Sequence, residues 1–186
     1  TGKHIEQADA DAFSLWIPNG EIRKLFSDLV QDWFREVTRS DSARINRFCA
    51  AFPAGDAAAI QEMLHDYLWD SISVRDTAVR KAMKENFYHG MLLGLLRSQG
   101  NWLVKSNAET GEGYSDISIQ TPNRIGMVIE LKYADDGNLE AACKKALAQI
   151  EEKRYAEGLK RRGTKKMIKY GIAFCEKECM VVMEGN

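Results

Sequence analysis

The stretch Gly126-Met127-Val128-Ile129-Glu130-Leu131-Lys132-Tyr133 limits this chain more than any other. Successive strand residues point to opposite faces, so Met127, Ile129 and Leu131 fall on one face and Val128, Glu130 and Lys132 on the other. The Met-Val-Ile-x-Leu run resembles a central strand buried on both faces of its sheet. In such a strand an unpaired carboxylate is costly, so Glu130 needs partners. Lys132, on the same face, is the first candidate.

Asp116 is the second. It lies in Gly113-Tyr114-Ser115-Asp116-Ile117-Ser118-Ile119, another strand-like segment, and thirteen residues separate it from Glu130. If the two strands form a hairpin, Asp116 lies across from Glu130. Two carboxylates and an ammonium then converge. That set can hold a hard divalent cation and orient a water beside it, the arrangement for metal-assisted phosphodiester hydrolysis. Two plainer readings stay open: an outward-facing Asp116, and a satisfied Glu130–Lys132 ion pair at a strand end.

The chain has 186 residues, enough for one sizeable domain or a compact domain with an appended subdomain. No run of eighteen apolar residues is present, so no membrane span is expected. Thr1-Gly2-Lys3-His4 opens no apolar stretch, so a signal peptide is not expected, and a fragment of a longer protein or a tag remnant fits this start. The four cysteines (Cys49, Cys143, Cys175, Cys179) lack zinc-type spacing and read as free thiols, which suit a reducing cytoplasm. The net charge of −1 hides an asymmetry. Residues 1–77 carry 8 Lys/Arg against 13 Asp/Glu, while residues 144–169 carry 10 against 3. The second stretch suits a phosphate backbone, or is simply a solvated helix face and basic turn.

Residues 1–15 are polar and expected to be poorly ordered, and a helical subdomain is expected over 16–76. Its helices are one from about Ile22 to Val37, one from Ser42 to Phe52 stopped by Pro53 and Gly55, and one capped by Asp56. A core follows over 77–186: a helix over 77–98, strands at 102–107, 114–120 and 126–133, a long helix over 138–161, and strands at 167–175 and 179–183. Glu85 and His89, four residues apart on the first of these helices, share a face. His89 reads as an orienter of Glu85, a phosphate contact or a hydrogen-bonded structural histidine, and His65 as structural. Trp102 and Tyr114 are placed to stack on a base or to pack.

With these pieces in order, the chain resembles the αβββαβ core of the PD-(D/E)XK nuclease superfamily. More narrowly, it is similar to the nuclease-like C-terminal region of bacterial proteins with an AAA-ATPase-like N-terminal region. The strings that carry the likeness are Ile17–Glu21, Glu85–Gly90, Ser106-Asn107, Gly113–Ile117, Ile129–Lys132, Gln149-Ile150 with Lys153 and Tyr155, and Tyr170–Phe174. The resemblance implies a restriction-endonuclease-like α/β fold, a mixed sheet flanked by helices with an N-terminal helical layer. It implies a Mg²⁺- or Mn²⁺-dependent nuclease acting on nucleic acid, DNA before RNA, with an ATPase-like partner region. Asp116, Glu130 and the carbonyl of Leu131 would be metal ligands, and Lys132 would orient or deprotonate the attacking water. Glu85 would assist through water, and Gln149 would support the site. His89, Lys153 and Tyr155 would contact nucleic acid. The rival expectation is a catalytically silent module of the same fold that binds nucleic acid or a partner protein, docking through an acidic first half bearing Trp33, Phe34, Tyr67 and Trp69.

Overall fold

The computed structural model describes residues 42–71, 81–110 and 113–185. The expected helix near 22–37, the Ile17–Glu21 string, Trp33 and Phe34, and the start of the 77–98 helix lie outside these residues. Helix α1 (Ser42–Ala54) buries Phe48, Cys49, Ala51 and Phe52. It does not stop at Pro53, which occupies its last turn. The stop comes at Gly55, whose φ is +80°. There Asp56 N donates to Ala51 O at 3.0 Å and Gly55 N to Phe52 O at 3.1 Å, a Schellman closure. A proline in the last turn removes one hydrogen bond without ending this helix, and the left-handed Gly55 supplies the stop. Asp56 caps helix α2 (Ala57–Ser71) as expected, its Oδ1 accepting from Ala59 N at 3.0 Å.

Helix α3 (Lys81–Arg97) buries Tyr88, Leu92, Leu95 and Leu96. The strands are β1 (Leu103–Thr110), β2 (Gly113–Gln120), β3 (Ile125–Tyr133), β4 (Lys166–Cys175) and β5 (Glu178–Gly185). They form one sheet in the order β1-β2-β3-β4-β5, in which only β3–β4 is parallel. β3 is the central strand that its apolar run demands. Met127, Ile129 and Leu131 join the larger core with α1–α3. Val128 joins a second core with Leu147, Ile150, Tyr155, Leu159 and Met167. Helices therefore cover both faces, a mixed five-stranded sheet of restriction-endonuclease-like α/β type.

The expected long helix over 138–161 is two helices, α4 (Leu139–Glu152) and α5 (Ala156–Lys160). The break is again a Schellman closure: Tyr155 N donates to Ile150 O at 3.2 Å and Arg154 N to Glu151 O at 3.1 Å. Here the left-handed position holds Arg154, with φ +52°, not glycine, so no local punctuation marks it. The reversal tucks Tyr155 beneath α4 beside Ile150. Gly171, paired with Glu130, lets α4 approach the sheet closely. A Cβ there would stand 2.6 Å from the Cys143 carbonyl oxygen and 3.0 Å from Leu147 Cγ.

Candidate active site

The β2–β3 ladder ends at the Ile117–Ile129 pair. Beyond it β2 continues with β1, and β3 with β4, so the two strands part like a fork. Asp116 is the first β2 residue in that fork, and its Oδ2 accepts the Leu131 N–H at 2.8 Å. A strand residue's N–H and C=O point toward the same neighbouring strand, so the Leu131 carbonyl also faces the fork. Glu130, 1 % exposed, comes from the other arm. Its Oε2 accepts the Asp116 N–H at 3.4 Å, and its Oε1 accepts from Lys132 Nζ at 3.2 Å and from Gln149 Nε2.

Gln149 projects from the last turn of α4, the helix that Gly171 seats low on the sheet. Its amide also lies 3.4 Å from the Tyr155 hydroxyl. Tyr155 is 3 % exposed, so it reaches the site by supporting Gln149 rather than by offering a surface to nucleic acid. Lys153 caps the end of α4 and is half-buried.

From the opposite face of the sheet, His89 Nε2 lies 3.0 Å from the Asp116 carbonyl oxygen and 3.2 Å from Ser106 Oγ. A carbonyl only accepts, so Nε2 carries the proton. His89 thus fixes the backbone of Asp116 instead of orienting Glu85. Ser106 joins the site with no signal in the sequence beyond the Ser106-Asn107 string. Glu85 is exposed, and its Oε1 accepts the Tyr133 N–H at 3.1 Å. It stands at the C-terminal end of β3, apart from the hydrogen-bonded carboxylates. With Lys132, Asp136, Asn138 and Lys145 it lines an open cleft of ≈ 390 Å³.

Burial raises the Asp116 carboxyl above its usual range, against the Leu131 N–H and Lys132. Burial, then the charge of Asp116, pushes Glu130 up to about 7, against the pull of Lys132. Among the described residues no three His, Cys, Asp or Glu side chains gather as a metal set. The donors here are two carboxylates and a main-chain carbonyl, all hard oxygens, and Mg²⁺ commonly takes only one or two carboxylates from its protein. A divalent cation in the fork would offset the burial that raises both carboxyls and the charge that Asp116 imposes on Glu130, so the residues fit one.

Other nucleophile candidates are quiet. All four cysteines are free. Burial pushes Cys49 and Cys143 up to about 11 and Cys179 up to about 12, far from reactive thiolates. His65 pairs with Glu178 at 3.6 Å and rests against Trp69. No helix among the described residues is long and apolar enough to cross a membrane.

Comparison with known proteins returns no match among curated proteins. A family model of the PD-(D/E)XK nuclease superfamily matches residues 83–184. The match covers the sheet, α4 and every residue of the cluster. With more than half of the 186 residues matched, the chain belongs to the PD-(D/E)XK nuclease superfamily.

Proposed function

We propose that this protein is a divalent-metal-dependent nuclease that hydrolyses phosphodiester bonds, with DNA as its substrate. The observation that carries this is the joining of Asp116, Glu130, Lys132 and Gln149 in one hydrogen-bonded cluster at the β2–β3 fork. Asp116, Glu130 and the Leu131 carbonyl would hold Mg²⁺ or Mn²⁺. Such a cation, when bound, polarises a phosphoryl oxygen and makes a nearby water acidic.

The remaining work falls to the chain's own groups. Lys132 places a positive charge where charge develops on the phosphate and can hold the attacking water by hydrogen bonding. Gln149 fixes the Glu130 carboxylate, and Tyr155 fixes Gln149. His89 and Ser106 hold the backbone that presents Asp116. Glu85 faces the cleft and can order water there. Operation as the nuclease part of a larger protein with an ATPase-like region is supported by the sequence likeness described above.

The test is incubation with plasmid and single-stranded DNA plus Mg²⁺ or Mn²⁺, alongside Asp116→Ala and Lys132→Ala. Each substitution should lower cleavage at least about a hundredfold, the cost of removing one well-placed charge-stabilising group. Cleavage that survives both overturns the assignment.

One observation favours a silent, nucleic-acid-binding module instead: the two carboxylates already accept bonds from Leu131, Asp116, Lys132 and Gln149. Absence of a calorimetric Mn²⁺-binding signal from folded protein would decide for that reading.

A further inference from the structure

Val104 packs into the larger core with Ile117 and Ile119, so the alternate residues Leu103 and Lys105 lie on the other face of the sheet. That is the face of Asp116, Ser118 and Gln120. Lys105 is exposed and pairs with Ser118, two residues or about 7 Å along the strand from Asp116. Leu103 pairs with Gln120, two residues further, and is 48 % exposed.

At that level the sheet meets the basic stretch after α4. Gln120 Nε2 donates to the Arg162 carbonyl at 3.3 Å, and Lys165 N donates to the Arg124 carbonyl at 2.8 Å. Helix α5 touches β1, β3 and β4, which carries Lys160 and Arg161 onto the same side. Lys105, Arg124, Lys160, Arg161, Arg162 and Lys165 are all exposed. From Lys153 to Lys169 the sequence contains one acid, Glu157, which pairs with Arg161 at 3.8 Å and Arg154 at 4.0 Å. In a chain of net charge −1 this is a local concentration of positive charge that no core packing requires.

We propose that this track, from Lys105 to Arg162 and Lys165, holds the nucleic-acid backbone on one side of the scissile phosphate, so that the substrate is a polymer gripped away from the reacting bond. The proposal rests on the nuclease reading for what happens at Asp116 and Glu130, but its binding step stands without catalysis. Arg162 is anchored four residues, or about 13 Å, along β2 from Asp116. A duplex rises about 3.4 Å per step, so the grip falls about four nucleotides from the cut.

The experiment uses the full chain and the variant Lys105→Gln/Arg162→Gln/Lys165→Gln. Fluorescence anisotropy in EDTA reads binding to labelled duplex and single-stranded oligonucleotides across a KCl series. Hydrolysis of bis(p-nitrophenyl) phosphate with Mn²⁺ reads the chemistry without a polymer. The wild type should bind with a steep salt dependence. The variant's slope of log K against log salt should be shallower by about two to three, near one for each phosphate no longer neutralised. The small diester should be hydrolysed equally by both, which also certifies the fold. Oligonucleotides reaching past the cut by more than about four nucleotides should be cleaved with lower KM than shorter ones, and the variant should lose that advantage. Equal affinity and slope in the two proteins, or no DNA binding by the wild type, overturns the track. Loss of slope in proteins that hydrolyse neither substrate upholds the track and overturns the nuclease reading instead.

Discussion

Glu130 works against the fold whenever it is ionised without a cation. Its carboxyl is raised from 4.5 to about 7 by burial and then by Asp116. The folded state therefore holds this proton more tightly than the unfolded chain does. The stabilising contribution is complete below about 4.5 and is lost as pH rises through about 7. In EDTA, Glu130 should favour the folded state at acidic pH over pH above neutrality by roughly 3 kcal/mol. Denaturant titrations against pH check this, and Glu130→Gln should remove that part of the dependence. A Glu130→Gln profile as steep as the wild type's would show that Glu130 is not the group responsible. At this scale much was legible. A lone carboxylate in an apolar strand had to have partners, and Lys132 two residues on was one. His89 was not legible, because its partner is a backbone carbonyl on another element, which no side-chain pattern reports.

The elements around the site are shaped by two backbone positions. Gly171 allows α4 to lie where a Cβ would meet the Cys143 carbonyl oxygen at 2.6 Å, too close for a small adjustment. Gly171→Ala should destabilise the protein by about 1–3 kcal/mol, the usual range for overpacking. By lifting Gln149 from Glu130 it should also lower cleavage more than Gly90→Ala, since nothing lies within 4 Å of a Cβ at Gly90. Thermal unfolding and initial rates on both variants test this together. Arg154, at φ +52°, ends α4 and returns Tyr155 beneath it. Arg154→Gly should stay within about 1 kcal/mol of wild type, because relief at the left-handed position offsets glycine's added freedom when unfolded. Arg154→Val should cost more than 1 kcal/mol, roughly, and impair cleavage. Equal behaviour of the two variants in unfolding and activity assays would contradict a left-handed helix stop at Arg154. The strands were readable because their apolar runs and turn residues are local. The helix break was not, since an arginine carries no signal for a left-handed conformation.

For the molecule as a whole, the site depends on a sheet whose central strand changes partners, antiparallel to β2 and parallel to β4. That change opens the fork, and a cation bound only by the folded fork should stabilise the entire domain. At a concentration about a hundred times its Kd, a divalent ion should add about 2.7 kcal/mol. Thermal unfolding with and without Mn²⁺ should show a raised Tm in the wild type and none in Asp116→Asn. An equal rise in both would place the ion elsewhere. The two-sided apolar run within residues 126–133 was enough to demand a covered sheet, and the order of strands and helices was enough to resemble the right superfamily. Periodicity is a property of neighbouring residues, so it survives in one dimension. The meeting of Gln149 with Glu130, of His89 with the Asp116 carbonyl, and of Glu85 with the Tyr133 amide arose only in three dimensions. Each joins separate elements, and their approach is governed by how closely helices settle on the two faces of the sheet.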